Sequence, residues 1–126
     1  METVRRAYEY YMAVGEIPPG GRPDFVWDVS GLRWPGQQIY PGSEGATQFL
    51  AEWADAWDDW ALEVEEYIDA GDYVVVILNQ RGFAKATGVP VNMRFAQVWT
   101  MRDGQTIRMQ MYANLDEAFE AVGLSE

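Results

Sequence analysis

The apolar positions near the start of the chain follow the spacing of a helix. Residues 2–14 place apolar side chains, including Tyr8 and Tyr11, three and four positions apart, which is typical of one buried helical stripe. Gly15 predicts the end of this helix. The proline- and glycine-rich stretch 17–24 predicts a loop, because neither residue type continues a helix.

The next segment alternates with a period of two. Residues 25–31 therefore predict a short strand, whose two faces carry different side chains. One face has the large apolar residues Phe25, Trp27 and Val29. The opposite face has Val26, Asp28 and Ser30.

A second helical pattern covers residues 43–60, with Ser43 as the predicted N-cap and Glu44 at the positive end of the helix dipole. Its apolar stripe consists of Ala46, Phe49, Leu50, Trp53 and Trp57. An acidic cluster near the C-terminal end of this predicted helix opposes the dipole, which is a small unfavourable contribution that the sequence does not explain.

Four strand-like segments follow, at 62–69, 73–86, 93–102 and 106–114. The Asp103–Gly104 pair between the last two predicts a tight hairpin. In that hairpin the predicted inner face carries Met93, Phe95, Gln97, Trp99 and Met101, opposite Ile107, Met109, Met111 and Ala113, whereas Arg94, Arg102, Arg108 and Gln110 face outward. Asn114 and Glu117 then form a capping-box-like start for a short last helix, which Gly123 ends.

This order of elements predicts a single α+β domain over residues 1–126, in which an antiparallel meander is covered by helices on one face. We expect the inner face to carry Phe95, Gln97 and Trp99, and the helix at 43–60 to cover it. Arg94 and Arg108 should point away from the core.

Composition excludes several classes of function. Twenty acidic and nine basic residues give a net charge of −11, so nucleic acid and anionic membrane surfaces are poor partners. The chain has no Cys and no His, which argues against thiolate metal sites, zinc chemistry and serine–histidine catalysis. No apolar run reaches the length of a membrane span and no signal-peptide core is evident, so a cytoplasmic protein without metal is the expectation.

Five stretches carry a resemblance to a known family: PDFVWDVSG, YPGSEGATQFLAEW, GDYVVVILNQRG, FAQVWTMRDGQTIRMQMY and LDEAFEAVGL. Together they resemble the nuclear transport factor 2-like superfamily, in its SnoaL-like branch, which includes ketosteroid isomerase. The resemblance implies a cone-shaped half-barrel, in which a curved, mainly antiparallel sheet wraps around helices and an apolar pocket. The short segment after Gly15 departs from the family, which usually has a second short helix there.

The resemblance also implies roles for three residues. Asp28 stands where the isomerases have their general base, and an apolar pocket would raise its pKa; alternatively it is a solvated or backbone-bonded acid. Tyr8 stands where they have an oxyanion-hole tyrosine, although it is equally a core aromatic and Tyr11 is an alternative. Gln97 replaces a protonated aspartic acid, so it can donate a hydrogen bond less acidically, or it is a buried amide satisfied by a neighbour.

Three functions remain open. The first is a cofactor-independent isomerase, lyase or polyketide-cyclase-like enzyme that moves a proton on a small apolar carbonyl compound. The second is a non-catalytic module for ligand binding or dimerisation, and the third is a structural domain filled by its own tryptophans. The predicted walls for a small apolar or aromatic ligand are Trp27, Trp53, Trp57, Phe95, Trp99, Met109 and Met111.

Family habit further implies a homodimer through the outer face of the sheet, at Arg94, Val98, Arg108 and Tyr112. Light scattering checks this expectation, and the mass of a single chain at micromolar concentration would contradict it.

Overall fold

Six strands form one sheet in the computed structural model, which describes residues 2–14, 24–32 and 37–123. The predicted end of the first helix at Gly15 and most of the predicted loop at 17–24 lie outside these ranges. The elements in chain order are α1 (Glu2–Val14), β1 (Val26–Gly31), β2 (Ile39–Pro41), α2 (Gly42–Asp55), β3 (Trp57–Ala70), β4 (Tyr73–Ala84), β5 (Pro90–Arg102), β6 (Gln105–Tyr112) and α3 (Leu115–Ala121).

The sheet is curved and unclosed, with the strand order β2-β1-β6-β5-β4-β3. The strands β3 to β6 form the predicted antiparallel meander, and β1 joins it by parallel pairing with β6. The first strand of the chain, β1, therefore lies next to the last strand, β6. The predicted α+β class with a mainly antiparallel curved sheet is confirmed.

The alternation in β5 and β6 has the predicted register. Phe95, Trp99, Met109 and Met111 are buried in the main core together with residues of α1 and α2, so this is the inner face of the sheet. Arg94 and Arg108 lie on the outer face, with side chains 54 % and 43 % exposed. A slip of one residue would exchange these two sets, so the register is fixed by burial.

The sequence predicted that all the helices pack on one face of the sheet, and this prediction is wrong. The helices α1 and α2 cover the inner face, but α3 packs on the outer face through Ala118, against Val75, Ala96 and Val98. These outer residues of β4 and β5 are small or β-branched, and they need an apolar cover of their own. Val98 was predicted to contact a dimer partner. It is already fully buried within one chain, so it is not available for that contact.

Both predicted ends of the second helix are wrong. The helix α2 begins at Gly42, directly after Pro41, with no side-chain cap, so Ser43 is not the N-cap. It ends at Asp55, and Trp57 belongs to β3. This resolves the unfavourable acidic cluster, because the last acids of that stretch lie in a strand rather than at the negative end of a helix.

The two smaller local predictions are confirmed. Asp103 and Gly104 both have positive φ, at 52° and 77°, as a two-residue hairpin turn requires. The Asn114 side chain accepts hydrogen bonds from the backbone N–H groups of Asp116 and Glu117, which caps α3. Within the described ranges, no helix has the length and apolar character needed to cross a membrane.

Candidate functional site

Three polar groups meet on the inner face of the sheet. The amphipathic pattern of α1 turns Tyr8 toward the sheet, and the alternation of β5 places Gln97 and Trp99 on the same face. The Tyr8 hydroxyl donates to Gln97 Oε1 and accepts from Trp99 Nε1 at 2.9 Å. All three residues are buried, with 6 %, 7 % and 8 % of their surface exposed. The structure thus brings together two of the three predicted site residues.

Burial makes the Tyr8 hydroxyl harder to ionise than that of an ordinary tyrosine, which is already protonated at neutral pH. Desolvation raises the pKa of Tyr8 well above its usual value, against the hydrogen bond from Trp99, which acts in the opposite direction. The nearby Tyr67, whose ring packs edge-on at 5.9 Å, raises it further. The Tyr8 hydroxyl is therefore neutral near neutral pH and serves as a hydrogen-bond donor.

The amide of Gln97 has a remaining donor. Its oxygen is taken by Tyr8, and within the described ranges its nitrogen makes no hydrogen bond. A hydroxyl can pair with either end of an amide, and here Gln97 Oε1 accepts the Tyr8 proton, so the nitrogen is the end that is left open. The open end is a neutral N–H donor at an apolar face.

The predicted wall residues lie around this group. Trp27 is 6.1 Å from Trp99 between ring centroids, and Trp53 is 5.5 Å from Phe95. The remaining predicted members also contact the inner-face core, where Met109 and Met111 are fully buried and Trp57 is partly exposed. The inner face therefore combines aromatic and thioether side chains with aliphatic ones such as Val76 and Leu78, and Gln97 is a polar exception.

Asp28 does not lie with Gln97. It pairs in register with Gln110 on β6 and lies on the outer face, opposite Trp27. Its carboxylate accepts from Arg108 at 2.6 Å and from the Ser30 hydroxyl at 2.6 Å and backbone N–H at 3.0 Å. Its role as a general base stays a prediction, and this arrangement gives it no support.

The predicted rise in the pKa of Asp28 is wrong. Partial burial would raise the pKa, but the two hydrogen bonds from Ser30 and the charge and hydrogen bond of Arg108 outweigh it. The pKa therefore lies below the usual value of an aspartate. The carboxylate is held as an anion. This agrees with the alternative given for Asp28 in the sequence analysis, an acid bonded to a backbone amide.

Comparison with known proteins places this arrangement in a family. The model of the SnoaL-like domain matches residues 22–109, which is more than half of the chain. The chain belongs to the SnoaL-like domain family. No curated protein matches it.

Solved structures share the fold of this SnoaL-like domain. TerC, co-crystallised with polyporic acid, is 25 % identical, with a TM-score of 0.71 over 97 % of this chain and 96 % of that one. A protein from Jannaschia sp. CCS1, named for a SnoaL-like polyketide cyclase, is 23 % identical, with a TM-score of 0.69 over 99 % and 92 %. A protein with a ketosteroid isomerase-like fold from Catenulispora acidiphila, in complex with trimethylamine, is 17 % identical, with a TM-score of 0.62 over 82 % and 77 %.

Replacing Asp28 by asparagine tests its structural role in the SnoaL-like domain. We expect Asp28→Asn to lower the free energy of unfolding at neutral pH by about 1–2 kcal/mol, because charge-assisted hydrogen bonds are lost. A lowered folded pKa means that the carboxylate stabilises the fold above its unfolded pKa, and that this contribution is lost as the pH falls through the folded value. The difference between the two proteins should therefore be full above about pH 5 and should shrink as the pH falls below about 4, toward the lowered folded pKa.

Urea denaturation at a series of pH values measures this difference. Asp72→Asn is a matched control at an exposed turn residue and should change stability by less than about 0.5 kcal/mol. If Asp28→Asn were instead as stable as the wild type at neutral pH, or more stable, the ion pair between Asp28 and Arg108 would not stabilise the fold, which contradicts the structural role.

The sequence analysis missed one buried polar residue, Gln80. It continues the inner-face alternation of Val74, Val76 and Leu78 in β4, and it is fully buried. A polar residue at the next position of a buried alternating run is the signal that could have revealed it. Within the described ranges, no group of three or more acidic side chains is arranged to hold a metal ion.

Proposed function

We propose that this SnoaL-like domain binds a small, mostly apolar carbonyl compound on the inner face of its sheet. The observation that carries the proposal is the buried Tyr8–Gln97–Trp99 hydrogen-bond group, with the amide nitrogen of Gln97 left open within the described ranges. A carbonyl oxygen is the complement of that donor. The surrounding aromatic and methionine side chains suit a flat, uncharged ligand.

Each of the three polar residues has a separate task in this proposal. Gln97 Nε2 donates to the ligand oxygen, and Tyr8 fixes the orientation of the amide. Trp99 in turn donates to the Tyr8 oxygen and fixes the direction in which the phenol proton points. A donor held in place by such a network loses little conformational entropy on binding. The co-crystallisation of TerC with polyporic acid supports a small-molecule ligand in a relative of the same fold.

A cofactor-independent isomerase, lyase or cyclase is the second candidate. The observation that favours it is the open amide N–H of the buried Gln97, whose oxygen already takes the Tyr8 proton, since a donor at a dry site stabilises negative charge that develops on a carbonyl oxygen. Proton transfer also needs a base that reaches the substrate. Because Asp28 lies on the other face and is paired with Arg108, the geometry supports binding better than catalysis.

Calorimetric titration with the two-ring ketone para-acetylbiphenyl tests the proposal. Gln97→Leu keeps the side-chain volume and removes the donor, so we expect it to weaken binding about tenfold, the value of one buried hydrogen bond. Gln110→Leu makes the same change on the outer face and should leave the affinity unchanged. Absence of binding to the wild type, or equal affinities for the wild type and Gln97→Leu, would contradict the proposal.

A further inference from the structure

The group formed by Tyr8, Gln97 and Trp99 is almost closed to solvent. At most 8 % of the surface of any of these three residues is exposed. A ligand that contacts Gln97 Nε2 must therefore enter and leave past an element that moves aside. Within the described ranges, the helices that cover this face of the sheet are α1 and α2.

The helix α2 is joined to the sheet at both ends. The Gly42 N–H donates to the Phe25 carbonyl, and the Ala56 carbonyl, directly after the helix, accepts from the Lys85 N–H at 3.0 Å. Between these ends, Gly45 lies so close to the backbone of β2 that an added Cβ would clash with it. This helix is therefore a fixed part of the cover.

The helix α1 is held more loosely. Within the described ranges, no backbone hydrogen bond joins it to the sheet. Its buried residues are Val4 and Tyr8, and residues 9–14 bury no side chain. Elements with few buried contacts have low free energies of local opening. Of the two helices, α1 is therefore the one that can leave the sheet while the rest of the fold stays intact.

Two contacts near the surface hold α1 in place besides its buried residues. The Thr3 hydroxyl donates to the Gly104 carbonyl at 3.1 Å, in the turn between β5 and β6. The Arg5 guanidinium lies over the ring of Tyr67 on the edge strand β3, 4.4 Å from its centroid. A cation–π contact at such a half-exposed position is weak, so it can break and form again.

We propose that α1 is a lid over the inner face, and that the contacts of Thr3 and Arg5 hold it closed. This inference rests on the proposed function. Opening takes the Tyr8 hydroxyl away from Gln97 and gives a ligand access to the amide. Closing returns the hydroxyl to Gln97 Oε1, which orients the open N–H toward the ligand. The open state is a minor one, because opening also exposes Val4 and the Tyr8 ring.

The kinetics of binding test the lid. Stopped-flow tryptophan fluorescence gives the association and dissociation rates of para-acetylbiphenyl. Arg5→Met keeps an unbranched stem and removes the charge over Tyr67. Because the ligand enters and leaves through the open state, both rates should rise by the same factor, about two- to fivefold, and Kd should stay unchanged. Thr3→Val should act in the same direction. Arg6→Met makes the same change at an exposed position of the same helix and should leave both rates unchanged.

Hydrogen exchange tests the lid without any ligand. The Trp99 indole N–H is covered by the Tyr8 hydroxyl, so it exchanges when α1 opens. A detached helix of 13 residues is marginal in water, so the α1 amides should exchange through the same opening. Both should exchange faster than the amides of α2, and Arg5→Met should speed them about two- to fivefold without changing α2.

The outcomes separate the lid from the proposed function. Unchanged rates in both Arg5→Met and Thr3→Val, or a change in Kd that comes from one rate alone, would overturn the lid and leave binding intact. Exchange of the Trp99 indole N–H through global unfolding alone, with the urea dependence of α2, would also overturn it. If the ketone does not bind the wild type, the proposed function fails, and hydrogen exchange then decides whether α1 opens by itself.

Discussion

Replacing Gly45 by alanine is expected to lower the free energy of unfolding by roughly 3 kcal/mol, which is the upper range for overpacking in a rigid site. Gly45 lies in the first turn of α2, against the backbone of β2. An added Cβ would stand 2.5 Å from the carbonyl carbon of Tyr40 and 3.0 Å from its oxygen. Backbone atoms cannot rotate away as a side chain can, so the whole helix must shift.

Gly88→Ala is the matched control for this change. Gly88 has a positive φ of 72° and no heavy atom within 4 Å of an added Cβ. Its replacement should cost only about 1–2 kcal/mol, the price of a left-handed backbone for an L-residue. Urea denaturation of both variants measures the difference, and equal losses would show that α2 does not pack rigidly on β2. A shift of α2 would also displace Phe49 and Trp53 from the inner face.

Tyr8→Phe is expected to lower the free energy of unfolding by about 2–3 kcal/mol, because it leaves the Trp99 N–H and the Gln97 oxygen unpaired in the core. Tyr11→Phe removes a hydroxyl from the same helix that has no hydrogen bond within the described ranges. This control should change stability by less than about 0.5 kcal/mol.

A double-mutant cycle isolates the coupling in this group. Gln97→Leu removes one of the two atoms that Tyr8→Phe leaves unpaired, so the double variant should lose less stability than the sum of the two single losses. Strict additivity would mean that the hydroxyl and the amide do not interact in solution.

Local patterns predicted the sheet better than the helix ends. The alternation in β5 and β6 correctly assigned Phe95, Gln97 and Trp99 to one face and Arg94 to the other, because burial of one face fixes strand register. The end of α2 was placed too late. The helical stripe continues through Trp57, and only the acidic residues after it indicated that the helix stops earlier.

The position of Asp28 shows how two lines of sequence reasoning can conflict. The alternation of residues 25–31 placed Asp28 opposite Trp27, whereas the family resemblance placed it in the pocket. The structure agrees with the alternation, and Arg108, which the sequence analysis assigned to an interface or to solvent, is the partner that keeps the carboxylate charged. A pairing across two strands 80 residues apart is not encoded in any local pattern.

The two glutamines differ in how much the sequence shows of them. Gln97 is a polar side chain in an inner-facing row of β5 and could be singled out, but its bond to Tyr8 depends on how α1 docks on the sheet. Gln80 follows a strongly apolar run, so it reads as the polar end of a buried strand. Only the packing of the neighbouring strands shows that it is fully buried and unpaired.

A crystal structure of the protein with bound para-acetylbiphenyl tests the central claim most directly. The account predicts that the ligand lies on the inner face of the sheet, with its ketone oxygen about 2.7–3.2 Å from Gln97 Nε2 and with the Tyr8–Gln97 bond kept. A ligand bound on the outer face beside Asp28 and Arg108, or on the inner face with its oxygen away from Gln97, would contradict it.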